Sequence, residues 1–193
     1  MTRTARPESI RLRRQELLAL LLVALLTPAL ASAEEIWILV DTAVRRLDVY
    51  RGYTPIKRFR NISLGRNGPA PIHLAGDATT PLGEFRITHI NHNSRFHIFL
   101  GLNYPTRAHM MRAHADGLVD TDTHDAFLAV LDSRKLPPQD TPLGGYIGIH
   151  GIGDGDPGIH ARYDWTQGCI ALTNEQIEEL SRLVGVGTRV FIR

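Results

Sequence analysis

Cysteine is almost missing from this 193-residue chain: Cys169 stands alone, so no internal disulfide can brace the fold and its sulfur is free for chemistry. Metal signatures are missing as well. There is no His-Glu-x-x-His and no Cys-x-x-Cys. His97, His150, His160 and Cys169 are ligating residue types, but their scatter reads as surface or hydrogen-bonding groups, and no metal is expected. The run Asp120-Thr121-Asp122-Thr123-His124-Asp125 has an aspartate where a calcium loop needs glycine and Leu131 where it needs glutamate, so it reads as a helix start. No repeat, heptad or low-complexity segment interrupts the chain.

An excess of charge is lacking too. The 22 basic residues outnumber the 20 acidic ones by two, but Arg3, Arg6, Arg11, Arg13 and Arg14 all fall in the first 33 residues, beside only Glu8 and Glu16. The other 160 residues carry a net charge near −1, which gives nucleic acid no reason to bind. No apolar run reaches the roughly 20 residues of a membrane span. The longest, 17–26, is soon followed by Pro28; with the basic start and Ala31-Ser32-Ala33 it reads as a signal peptide over 1–33, cleaved after Ala33. Arg13-Arg14 is too little by itself to name an export route. No cysteine follows the apolar run for lipid attachment. The expectation is an exported periplasmic or cell-envelope protein with no stable membrane anchor, whose residues 34–193 form one domain large enough to bury about 70% of its unfolded surface.

Periodicity over that domain is mainly β. Segments 36–40, 46–50 and 56–64 read as a meander, 65–80 as a long loop rich in glycine and proline, and 84–90 and 96–102 as further strands. Segments 107–114 and 122–133 read as a helical insertion, a candidate flap over a cleft, closed by Leu136-Pro137-Pro138. A strand over 146–150 precedes a Gly/Asp-rich loop at 151–158. Thr173-Asn174-Glu175-Gln176 is a capping box that opens a helix to about residue 184, and 188–192 makes a last strand.

The chemistry gathers near Cys169, in Asp164-Trp165-Thr166-Gln167-Gly168-Cys169-Ile170-Ala171-Leu172. Taken alone, a cysteine is more often a small buried hydrophobe. A reactive one needs a base beside it, and His150 at a strand end, with Gly151 following, is the better candidate; His160 is the other. Gly168 lets a substrate carbonyl approach the backbone, where N–H groups can stabilise an oxyanion. His97, Asn103 and Tyr104 suit either a cleft lining or a core strand with a turn. Asp164 and Trp165 suit either cleft wall or loop packing.

These motifs, in order Ile38-Leu39-Val40-Asp41, Leu47-Asp48-Val49-Tyr50, Gly76-Asp77, Thr80-Pro81-Leu82-Gly83-Glu84-Phe85, His150-Gly151 and Thr166-Gln167-Gly168-Cys169, span nearly all of 34–193. Together they resemble the L,D-transpeptidase catalytic domain of bacterial cell-wall enzymes. The resemblance implies a β-sandwich or flattened barrel with a helical insertion and a C-terminal helix. It implies Cys169 as nucleophile, His150 as general base, Gly168 with the Cys169 backbone as oxyanion hole, Thr166 as a supporting hydroxyl and Gly151 as the residue after the histidine. His97, Tyr104 and Trp165 are the expected substrate-binding residues. The partner implied is the peptidoglycan stem peptide, and no cofactor is implied. The chain departs from the commoner pattern at Gln167, often histidine, and at Ala171, often arginine or asparagine. The implied reaction is thioester formation on a tetrapeptide stem and transfer to an amine. Water in place of the amine would make an L,D-carboxypeptidase. A non-catalytic wall-binding module is the third reading, against which the intact Cys169 and His150 argue.

Overall fold

The computed structural model describes residues 34–193, so the expected signal peptide lies outside the described residues. The chain opens with β1 (Ile36–Asp41), β2 (Arg46–Arg51) and β3 (Thr54–Arg60), the expected meander. Ile38 and Val40 pair with Val49 and Leu47 across the hairpin and bury one face, as period-two alternation requires. Asn61, at φ +57°, ends β3 four residues before the predicted end and turns the chain away. Within the expected long loop, β4 (Pro69–Ala70) pairs in parallel with β5 (Thr80–Pro81). Then come the long hairpin β6 (Gly83–Ser94) and β7 (His97–Leu102), helices α1 (Arg107–Ala115) and α2 (Thr121–Asp132), and the short β8 (Gly148–His150).

Helix α3 (Pro157–Arg162) corrects the reading of 151–158 as loop throughout. Asp156 caps it, accepting from the Gly158 and Ile159 N–H groups, and Pro157 occupies the first turn, where its missing N–H costs nothing. The chain finishes with β9 (Ile170–Ala171), α4 (Asn174–Leu183) behind its Thr173 capping box, and β10 (Arg189–Ile192).

Eight strands form one sheet in the order β3-β2-β1-β10-β6-β7-β8-β9. The last strand lies in the middle, parallel to β1 and antiparallel to β6. The sheet curls on itself, because Ser63, just after β3, exchanges both backbone hydrogen bonds with Ala171 of β9, at 3.0 and 2.8 Å. That contact turns an open sheet into the flattened barrel expected. Its interior holds Ile38, Leu47, Phe85, Ile87, Leu100, Ile149, Ile170 and Val190, with Ile177 and Leu180 of α4.

The helical insertion belongs to this core. Met110, Ala113 and Phe127 are buried in it, the His109 ring stacks on Phe85, and His109 Nε2 meets the Leu82 carbonyl at 2.9 Å. No residue of 107–133 lines the cleft that holds Cys169. The flap expectation is therefore corrected: Phe127 of the apolar stripe is buried in the core, Leu128 and Leu131 pack against it, and none of the three faces the cleft that holds Cys169.

Candidate active site

His150 ends β8, between β7 and β9, with Phe99 and Ala171 as its register partners. It is only 2% exposed. Its Nδ1 lies 2.6 Å from the Gly151 carbonyl, which can only accept, so Nδ1 carries the proton and Nε2 keeps its lone pair. Gly151 is required there because a Cβ would fall 2.7 Å from both Asn174 Oδ1 and the Phe96 carbonyl. The imidazole stacks on Phe96, ring centres 4.2 Å apart, and Trp165 approaches it edge-on at 6.0 Å. Burial pushes its pKa down to about 4, opposed by the Gly151 carbonyl and reinforced by His160 and Arg95.

Cys169 precedes β9 and is half-buried. Its thiol contacts the Tyr146 carbonyl at 3.5 Å, and among the described residues no hydrogen bond joins it to His150. Loss of hydration pushes the thiol up to about 11, partly offset by the Gly148 backbone. Both shifts favour uncharged forms, so the two groups rest as thiol and imidazole and not as an ion pair.

Thr166 fastens the turn before Cys169. Its hydroxyl donates to the Cys169 carbonyl at 2.7 Å and accepts from the Gly168 N–H at 3.1 Å. The expected oxyanion role of Gly168 is thereby corrected: its one N–H proton is engaged by Thr166, whereas the Cys169 N–H makes no hydrogen bond among the described residues. Gly168 serves by shape. It has φ +131°, and a Cβ would stand 2.7 Å from the Thr79 carbonyl and 2.9 Å from Ile147 Cδ1.

The thiol and the imidazole open into one cleft of about 680 Å³. Trp165, Thr166 and Gln167 form one side, and Gly145, Tyr146 and Ile147 another. The tip of the β6–β7 hairpin, with Asn91, Ser94, Arg95 and Phe96, forms the third. Trp165 thus lines the cleft, and its indole N–H donates to His160 Nδ1 at 3.3 Å. That bond engages Nδ1 of His160, as does Ser63 Oγ at 3.1 Å; its Nε2 is buried without a partner among the described residues, and His160 is not in the cleft lining. A second hollow of about 700 Å³, on the outer face between Trp37, Tyr53 and Phe191, contains neither histidine nor cysteine.

Two expected substrate-binding residues lie elsewhere. Tyr104 is fully buried; its hydroxyl donates to the His73 carbonyl at 2.5 Å and accepts from the His73 N–H at 3.0 Å, so it braces the 65–80 loop behind Gly168. His97 turns from the cleft to Glu178 of α4, with Nε2 2.7 Å from the carboxylate. Among the described residues no three His, Cys, Asp or Glu side chains converge as a metal site. Ala171 is fully buried beside His150, and Gln167 is exposed on the rim, 3.3 Å from Arg66. Sequence reasoning missed Phe96, Arg95 and the Tyr146 carbonyl. The aromatic-basic pair at the turn of a hairpin was the signal available.

The family model of the L,D-transpeptidase catalytic domain (YkuD) matches residues 35–192. Comparison with curated proteins finds no match. Among solved structures, the helical cell shape determining protein Pgp2 from Campylobacter jejuni has a TM-score of 0.54 at 20% identity, over 84% of this chain and 48% of that one. Bd1075 of Bdellovibrio bacteriovorus has 0.51 at 18%, over 86% and 50%. At these identities the likeness is one of fold, and the chain spans about half the length of those structures. The family match, by contrast, takes in every element from β1 to β10 and both candidate residues of the cleft, and so the chain belongs to the L,D-transpeptidase catalytic-domain family.

Proposed function

We propose that this protein is an exported cysteine acyltransferase that takes peptidoglycan tetrapeptide stems as donors and passes them to an amine on a neighbouring stem. The observation that carries this reading is the opening of the sole thiol and a tautomer-fixed imidazole into one cleft, in a chain of this family. As the donor docks, the thiol proton moves to His150 Nε2 and the sulfur attacks the carbonyl carbon of the third stem residue. The Cys169 N–H, which has no other partner among the described residues, receives the developing oxyanion. The C–N bond then breaks, the imidazolium protonates the departing terminal residue, and a thioester remains on Cys169. An acceptor amine attacks that thioester, gives its proton to Nε2, and expels the thiolate as the new amide forms. Trp165 and Phe96 hold the imidazole plane throughout by packing.

Incubating the protein with defined tetrapeptide muropeptides and weighing the products tests the reading. The expected outcome is a cross-linked dimer lighter than two donors by one free amino acid, the released terminal one, and absent with Cys169→Ala. Tripeptides alone would make it a carboxypeptidase on the same site. Unchanged muropeptides, with no thioester on the intact protein, would refute acyl transfer.

A further inference from the structure

The cleft has one permanently charged side chain, beside the imidazoles of His89 and His150. Among its lining residues Arg95 is the only lysine, arginine, aspartate or glutamate; the polar neighbours Asn91, Ser94, Thr166 and Gln167 are neutral. Several other described arginines are matched to carboxylates, among them Arg45 to Asp164, Arg58 to Asp48 and Arg189 to Glu35, and those that are not, such as Arg66, Arg86 and Arg162, lie outside this cleft. Arg95 is in no ion pair among the described residues. Its guanidinium lies 4.7 Å over the Phe96 ring, and Phe96 in turn stacks on His150. Stacking uses a face of the guanidinium and leaves its in-plane N–H donors free for a bidentate acceptor.

The position of this cation is built into the backbone. A Cβ at Gly153, where φ is +60°, would fall 2.2 Å from the Arg95 carbonyl, so glycine there lets the hairpin tip close onto the loop after His150. The Gly151 N–H holds the same tip through the Ile98 carbonyl at 3.2 Å.

We propose that Arg95 is the carboxylate receptor of this cleft, and that it selects donor peptides carrying a free carboxylate close to the carbonyl that Cys169 attacks. The proposal deepens the acyl-transfer reading and rests on it for the place of attack. Two carboxylates have the required chemistry: the terminal one on the departing residue and one carried upstream of the scissile bond.

The test measures dissociation constants with Cys169→Ala protein, which binds without turning over. The ligands are a stem tetrapeptide, its C-terminal amide, and the same peptide amidated upstream. Adding Arg95→Gln is expected to weaken the free peptide about 5- to 30-fold, the range for a charge-assisted pair partly open to water. Amidating the recognised carboxylate should cost about the same with Arg95 present and nothing more once Arg95→Gln is in place; the amide that acts identifies the carboxylate. Arg95→Lys should recover part of the loss. If neither amide weakens binding to the protein with Arg95, or if amidation costs as much in Arg95→Gln, the receptor is refuted, as it is if no peptide binds. The first of these needs no Arg95 variant, so a misfolded substitution cannot hide the answer. Arg95-dependent binding with no thioester on the Cys169 protein would leave the receptor standing and remove acyl transfer. Equal thioester yields from Arg95 and Arg95→Gln proteins at sub-saturating peptide would do the reverse.

Discussion

One physical cause sets the character of both groups proposed to react. Taking a side chain out of water penalises whichever form is charged, and that raises the Cys169 thiol while it lowers the His150 imidazole. Reactivity toward a small neutral reagent then follows the scarce thiolate. Alkylation of Cys169 by iodoacetamide should climb roughly tenfold per pH unit from 7 to 9, with no plateau near the ordinary thiol range of about 8.5; a plateau by pH 8 would contradict the uncharged resting pair. Under the proposed acyl transfer, peptide acylation should behave differently, because there Nε2 takes the proton during attack. Its acid limb should lie near pH 4 and not near 6.5, since His150 stays unprotonated down to about 4. His150→Ala should lose roughly 100- to 10,000-fold in acylation rate, the usual contribution of a general base, while the thiol remains alkylatable at high pH. If His160→Ala has the larger effect, the base is His160, despite the Trp165 bond to its Nδ1.

Two elements have changed roles between sequence and structure. The insertion α1–α2 reads as a flap because amphipathic helices inside a β chain look like additions, yet Phe127 is 2% exposed and belongs to the same core cluster as the barrel residues. Phe127→Ala should cost about 3–5 kcal/mol in a denaturant melt and leave the alkylation profile of Cys169 unchanged wherever the variant is folded. A cost under about 1 kcal/mol would restore the flap. The β6–β7 hairpin, in contrast, reads only as two strands, and it supplies the third wall of the cleft. What was legible in the sequence depended on neighbours in the chain: the Thr173 capping box, the Gly168-Cys169 turn and the histidine at the end of β8. Tyr104 was not legible because its partner, His73, lies 31 residues earlier. The Phe96–His150 stack and the Ser63–Ala171 closure depend likewise on distant segments. Helix α3 was overlooked for a different reason: its six residues are too few for periodicity, and only Asp156-Pro157 marks it.

At the scale of the whole molecule, the curl of the sheet that brings residue 63 to residue 171 also encloses histidines. His109, His150 and His160 are 7%, 2% and 5% exposed, and burial lowers the pKa of each. The consequence for stability has a definite sign. Below about pH 6.5 the unfolded chain takes up protons on these rings that the folded chain refuses, so the unfolded state gains and stability falls as pH drops. For His150 the loss spans the window from about 6.5 down to its folded value of about 4 and amounts to something on the order of 3 kcal/mol. Against a typical total of about 5–15 kcal/mol that is enough to show in an ordinary melt. Asp77 acts later: burial works against its charge, but the Thr79 and Leu74 N–H groups hold its carboxyl below the usual range, so its contribution is lost only in stronger acid. The urea midpoint should therefore decline between pH 7 and 4.5, ahead of carboxylate protonation. His150→Gln should flatten part of that decline, since an uncharged amide has no proton to take up on unfolding. A midpoint constant from pH 7 to 5, or a slope untouched by His150→Gln, would show that the imidazole is protonated inside the barrel and that its burial does not set its charge.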